Sequence, residues 1–423
     1  MVGISETLTA PADDEVEITL IGGTTGYGES VLVHVGAGKW VIIDSCVNAV
    51  TCECSPLAYL RDFYGEDVGE HICYVICSHW HDDHIKGLSE IVDNCTSKTK
   101  FAVSCSDDRQ KWVYEMLSDY NYEGRSTKLK ELTNTYKKAN EKGIEILKLK
   151  QNERVFNENG VEGFALSPSE SVINELNQEV AEAMHRYHKV VNQLLKLKTI
   201  NAAEIVDAMT LQDETFKAFE RIVEEDIEED SLEEDATNLL NYRDIKKVNP
   251  NDRCVALLVS FNQHHVILGA DLENKDGMSG WIAVADSVSM KGVKSGLFKI
   301  PHHGSETGYN EYFLRGHVKT DAVMKLTAWT KGELVDPKEE MLRAYYDHSR
   351  NLYITTMAVL KKGNNEDNRS IRKEMNNTTD AIYELRPHLG IIRSRMKINS
   401  ELDDWQTEFF GSAERIRDDF FKN

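Results

Sequence analysis

The chain lacks any run of about 18 apolar residues, which excludes a membrane-spanning helix. It also lacks a basic excess. Lysine and arginine number 49 against 71 aspartates and glutamates, a formal charge of −22. That field repels phosphate and disfavours a strongly basic nucleic-acid binder. A local cationic patch or a bound metal reverses the repulsion only at one site. The opening MVGISETLTAPADDEVE has neither the basic start nor the apolar stretch of a secretory signal. Cysteine is sparse, with eight in 423 residues, too few for a disulfide scaffold, so reduced thiols in the cytoplasm are expected. Cys52-Glu53-Cys54 and Cys73-x3-Cys77 lack zinc-ribbon spacing, and Cys73 and Cys77 read as small residues of a buried strand. No Gly-x-Ser-x-Gly elbow is present, so a serine triad is not indicated. The Gly-rich stretch from Gly22 to Gly28 lacks the Gly-Lys-Ser/Thr ending of a phosphate loop and reads as a turn in a β-layer. There is no internal repeat.

The length predicts one large domain with insertions, or two to three smaller ones. Short apolar or alternating runs over 16–21, 31–35 and 40–43 read as paired strands. The run 72–77 reads as a strand buried on both faces, ending at Ser78-His79-Trp80-His81-Asp82-Asp83-His84. Helices are expected over 85–94 and 107–118. From 169 to 247 no strand signal appears. Val180, Met184, Tyr187, Val191 and Leu194 give helical periodicity over 175–198, and 203–223 continues in that style. Nine of the twelve residues from 224 to 235 are acidic, as in a solvated helix face or loop. Strand character returns in a hairpin over 255–260 and 266–269, and at 297–300, 322–328 and 352–356, with a helix over 337–348. Beyond Leu360 the chain is polar, with an ordered piece near 390–398.

The strongest feature is His79-x-His81-x-Asp83-His84. Three imidazoles and a carboxylate within six residues, directly after a buried strand, suit zinc, manganese or iron(II). Along an extended loop, His79 and His81 point one way and Asp83 and His84 another, so one loop can feed two adjacent metals.

This motif resembles that of the metallo-β-lactamase superfamily. Three further segments support the resemblance: Val41-Ile42-Ile43-Asp44-Ser45, Leu268-Gly269-Ala270-Asp271 and Pro301-His302-His303-Gly304-Ser305. The flavour is that of the hydrolase domain of ComEC-type DNA-uptake proteins and their soluble relatives, on Gly28-Glu29-Ser30, Leu166-Ser167-Pro168, Asn251 and the Pro-His-His-Gly-Ser block. The resemblance covers roughly 16–118 and 248–356. It implies an α/β (α+β) fold, a metallo-β-lactamase-like αββα sandwich with a helical insertion. The implied organisation is a hydrolase domain over 1–168 and 248–360, a helical insertion over 169–247 and a C-terminal extension over 361–423.

The resemblance also implies two divalent metal ions, zinc or manganese. One would be held by Asp83, His84, Asp271 and His302, the other by His79, His81 and the shared Asp271. Asp44 would orient the metal loop from behind. His302 and His303 are hard to separate by sequence. His302 is preferred as ligand because it comes first after the strand, and His303 then suits an orienting or substrate-facing role. Many relatives carry a further histidine between the first motif and the bridging aspartate, and Leu166-Ser167-Pro168 has none there. His185 and His188, three apart on a helix, and His264 and His265, at a hairpin tip, are the only histidines in between. The first metal site is therefore expected to be weaker, completed by water, or empty without substrate, with one ion tightly bound.

The implied mechanism is attack of a metal-activated water on phosphorus or a carbonyl carbon. Asp83 would steer that water and His303 would protonate the leaving group. Lys291, Lys294 and Lys299 precede the last histidine motif and read chiefly as solvated lysines rather than phosphate contacts. Fold alone does not choose a substrate. The Pro-His-His-Gly-Ser block favours a phosphodiesterase or nuclease acting on a nucleotide or nucleic acid, and the net charge favours a small substrate or short single strand. Two alternatives remain: a thioester, lactone or β-lactam hydrolase, and a non-catalytic subunit of a defence or signalling complex. The insertion is the expected place for a lid, a protein partner or a homodimer contact, and no membrane association is expected.

Overall fold

The computed structural model describes residues 8–23, 28–105, 127–175, 250–274, 279–331, 334–357 and 389–422. The helices expected over 107–118, 175–198 and 203–223, the acidic stretch, and His185 and His188 lie outside these residues. No described helix is long and apolar enough to cross a membrane.

The first half supplies β1 (Glu15–Gly23), β2 (Glu29–Val35), β3 (Trp40–Ile43), β4 (Ile72–Cys77), β5 (Lys100–Ser104), β6 (Glu145–Leu149), β7 (Arg154–Glu158) and β8 (Val161–Ala165). The second half supplies β9 (Leu257–Phe261), β10 (His264–Leu268), β11 (Ser295–Lys299), β12 (Val318–Leu326), β13 (Trp329–Lys331), β14 (Leu334–Asp336), β15 (Leu352–Ile354), β16 (Leu389–Lys397), β17 (Gln406–Gly411) and β18 (Glu414–Arg415). Two eight-stranded sheets result, in the orders β17-β16-β1-β2-β3-β4-β5-β6 and β18-β15-β12-β11-β10-β9-β8-β7. Within the first, β3 to β6 run parallel to one another. Within the second, β10, β11, β12 and β15 do.

The period of two along β1 shows why the sheets stack. Val16, Ile18 and Leu20 face a shared interior with Leu257, Val259, Val266 and Leu297 of the other sheet, while Glu17 and Thr19 face away. Helix α1 (Ser55–Tyr64) covers that outer face, where the Tyr59 hydroxyl donates to Glu17 Oε1 at 2.6 Å. It begins with Pro56 in its first turn and stops at Gly65 (φ 59°), positions that suit a ring-fixed φ and a left-handed glycine. The helix expected over 85–94 is broken into α2 (Asp82–Ile85) and α3 (Leu88–Asn94), because Gly87 turns left-handed between them. Helix α4 (Thr127–Glu141) sets Tyr136 edge-on against Phe101 of β5. On the second sheet, α5 (Gly280–Ala285), α6 (Glu311–His317) and α7 (Glu339–His348) bury Trp281, Phe313, Leu342 and Tyr345 against Phe298, Met324 and Ile354. The layers are helix, sheet, sheet, helix: a mixed α/β sandwich of two eight-stranded sheets, the layering that the resemblance implies.

The C-terminal segment departs from the expectation. The expectation is an extension over 361–423, yet β16 pairs antiparallel with β1 along its whole length, from Glu15↔Lys397 to Gly23↔Leu389, and β17 extends the same sheet. Met1–Cys105, Glu131–Glu170 and Pro250–Asn423 form one compact unit. Ser106–Lys130 and Ser171–Asn249 form a second, which holds most of the expected insertion and also 106–130, expected in the first half. Gly22 and Gly390 face each other in this pairing. A Cβ on Gly390 would stand 1.8 Å from Thr355 O, and one on Gly22 would stand 2.6 Å from Thr327 Cγ2. The missing side chains let the strand ends of the second sheet press close.

Candidate metal centre

The parallel strands deliver the site. Asp44 follows β3, the His79–His84 loop follows β4, Asp271 follows β10 and His303 follows β11. Each lies beyond the C-terminal end of a parallel strand, where open α/β sheets place their ligands. Sharp exits aim the side chains inward. Asp44 (φ 59°), Ala270 (φ 43°), His302 (φ 43°) and His303 (φ 52°) are all left-handed without being glycine, a strain that gathers at functional sites.

Ligand atoms of His79, His81 and Asp271 lie within 4.8 Å of one another, as do those of Asp83, His84 and His303, and those of Glu29, His84 and Asp271. His79 Nε2 is 3.0 Å from His81 Nδ1 and 3.8 Å from Asp271 Oδ2. His84 Nε2 is 3.3 Å from Asp271 Oδ2. His303 Nε2 is 3.5 Å from Asp83 Oδ2 and 3.7 Å from Asp271 Oδ2. Among the described residues, no such group includes a cysteine. Burial pushes the Cys54 and Cys73 thiols up to about 12.

Asp44 acts from behind. It accepts the Ser78 backbone N–H at 2.7 Å, the Ser78 hydroxyl at 2.6 Å and His84 Nδ1–H at 2.8 Å. With its proton given to Asp44, the Ser78 hydroxyl accepts from His79 Nδ1 at 2.9 Å. Both imidazoles thereby turn Nε2 inward.

At the last motif His303, rather than the preferred His302, lies among the other candidate ligand atoms. His302 turns to the rim: Nδ1 is 2.9 Å from Glu273 Oε1 and 2.9 Å from Ser305 Oγ, and Nε2 is 3.2 Å from Asn251 Nδ2. His303 stands where His302 was expected, because two successive left-handed residues swing the second ring inward. Burial opposes charge on His302, but the Glu273 hydrogen bond and the charge of Asp271 outweigh it and raise its pKa. His264 lies at the far hairpin, held by Ser400 O and Asp403. Ser167 Oγ donates to Cys254 O and accepts from Ala256 N, so that strand end serves the sheet.

Burial works against the charges of Asp83 and Asp271, yet the neighbouring His84 and His303 outweigh it and hold both carboxyls well below their usual range. Burial, with His84 and His81 nearby, pushes His79 far below its usual value. The cluster offers ionised carboxylates beside an uncharged imidazole. Three of its buried atoms, His84 Nε2, His303 Nε2 and Asp271 Oδ1, make no hydrogen bond. Such atoms are costly unless a cation completes them, and the nitrogen and oxygen donor set fits a divalent metal ion.

Three residues escaped sequence reasoning as site members. Lys299, read as solvated, is buried and ion-paired to Glu29, whereas Lys291 and Lys294 are exposed as expected. Thr327 contacts both Glu29 and His303. A lysine between Phe298 and Ile300, inside an apolar strand, was the one available signal for Lys299. Residues 24–27 of the Gly-rich stretch lie outside the described residues.

No family model matches the chain, and no curated protein does. Among solved structures, it aligns with the metallo-beta-lactamase fold protein YhfI from Bacillus subtilis at 12% identity and a TM-score of 0.36, covering 81% of this chain and 95% of that one.

Proposed function

We propose that this chain is a metal-dependent hydrolase acting on a phosphodiester of a nucleotide or short single strand. The observation that carries it is the convergence of three buried polar atoms without hydrogen bonds, on His84, His303 and Asp271, at the ends of parallel strands from both sheets. In this reading His79, His81 and Asp271 hold one divalent ion, and Asp83, His84, His303 and Asp271 hold the other. Such ions supply Lewis acidity and activate water for attack. The chain's own residues do the rest. Asp44 and Ser78 fix the loop histidines, and Asp83 stays ionised to accept a proton. His302, paired with Glu273 at the rim, takes the proton-donor role first given to His303.

The net charge supports a small substrate over a long duplex. Trp329, half-buried and stacked on His303 at 6.4 Å between ring centroids, offers an aromatic surface for a base. The reading extends the ComEC-type flavour of the motifs to a chain in the cytoplasm. The first site, with His79, His81 and Asp271 alone, is the weaker of the two.

Elemental analysis should find one to two zinc or manganese ions per chain. Bis(p-nitrophenyl) phosphate should be cleaved, and a thioester or nitrocefin should not. Asp271→Ala should lower turnover at least about a hundredfold. Full turnover by that variant sinks the shared-metal scheme, preference for the carbonyl substrates sinks the phosphodiester part, and less than one ion per chain favours a non-catalytic subunit.

A further inference from the structure

We infer that Glu29, held by Lys299, is a positioning residue for this centre: through the Thr327 hydroxyl it fixes which nitrogen of His303 carries the proton. The inference rests on the metal reading for its purpose, and on hydrogen-bond chemistry for its content.

Glu29 is the first residue of β2 and is 2% exposed. One carboxylate oxygen accepts from Lys299 Nζ and the other from the Thr327 hydroxyl. A hydroxyl has one proton. With that proton committed to Glu29, Thr327 Oγ1 can only accept from His303 Nδ1, 2.9 Å away. The Thr327 carbonyl, 3.3 Å from the same nitrogen, also can only accept. His303 therefore carries its hydrogen on Nδ1, and its lone pair at Nε2 faces Asp83 and Asp271.

Lys299 makes the arrangement directional. It needs an oxygen opposite its ammonium, and it also donates to Ala270 O at 2.9 Å, the residue that turns Asp271 inward. The same ion pair thus grips the strand ends behind two of the proposed ligands. In Glu29→Gln, Lys299 claims the amide oxygen, so the amide N–H₂ faces Thr327. Thr327 then accepts from the amide and turns its proton toward His303 Nδ1. The imidazole hydrogen is driven to Nε2, where it blocks the inward lone pair.

The test uses the full chain labelled with 15N-histidine. Long-range 1H–15N correlation of the metal-free protein reads the tautomer, and calorimetry with zinc and with manganese reads the affinity. The wild type should show His303 protonated on Nδ1. Glu29→Gln should move the hydrogen to Nε2 and weaken metal binding roughly 10–100-fold. Thr327→Ser should keep both properties. Thr327→Val, which buries no new charge, should weaken binding about tenfold if Glu29→Gln does not fold. A His303 tautomer indifferent to Glu29→Gln, or Thr327→Val binding as wild type, overturns the inference. A wild type that binds neither ion overturns the metal reading instead, and the tautomer measurement tells the two failures apart.

Discussion

Lys299 and Lys325 lie side by side, paired in register on β11 and β12, and both are buried. They differ in what meets the ammonium. Burial opposes charge on Lys299, but Glu29 and Asp271 outweigh it and raise its pKa. Lys325 Nζ meets two backbone carbonyls, Ile18 O at 2.6 Å and Ile392 O at 3.1 Å. Burial pushes its pKa well below the usual value, offset only in part by Glu17. One lysine keeps its charge as part of the machinery behind the candidate ligands. The other, whose charge burial disfavours, acts as a stitch from the second sheet to β1 and β16.

The comparison breaks hardest at Glu29. Glu29→Ala leaves Lys299 buried and unpaired, so urea unfolding should show a loss of about 3–5 kcal/mol. The double variant Glu29→Gln/Lys299→Met should recover most of it. A double variant no better than the single would mean that the pair matters through shape rather than charge.

Lys325 sharpens the contrast through pH. Its native pKa is depressed, so below about 10.5 the unfolded chain binds a proton that the native state refuses. The stability it permits is therefore greatest at high pH and falls as pH drops from about 10.5 toward the depressed native value. Lys325→Met should flatten this part of the profile between pH 7 and 10 in urea titrations. An unchanged slope would show that Lys325 stays protonated in the fold.

The smallest effect belongs to an exposed pair. Lys397 Nζ is 3.0 Å from Asp14 Oδ2 on the solvent edge of β16. Lys397→Ala should leave the urea midpoint unchanged, because water screens such pairs. A clear shift there would make position along β16, rather than burial, the deciding variable.

What the sequence made legible follows distance along the chain. The His79–His84 loop stood out because its ligand types are neighbours. Asp271 and the Pro301–Ser305 turn stood out because each closes a short apolar strand. The choice between His302 and His303 depended on two left-handed backbone angles that no residue type there advertises. Lys299 was misread because lysine is usually solvated, and its partner Glu29 is 270 positions away. Strand β16 was seen as an ordered piece, but nothing local to 390–398 names β1 as its partner.

That last pairing bears on biosynthesis. A ribosome releases β1 (Glu15–Gly23) long before β16 (Leu389–Lys397), so at ordinary elongation rates the outer rim of β1 waits some tens of seconds for its neighbour. Messages cut short before the β16 segment would yield a nascent polypeptide with that rim permanently unzipped, a target for chaperones or for sticking to its own kind.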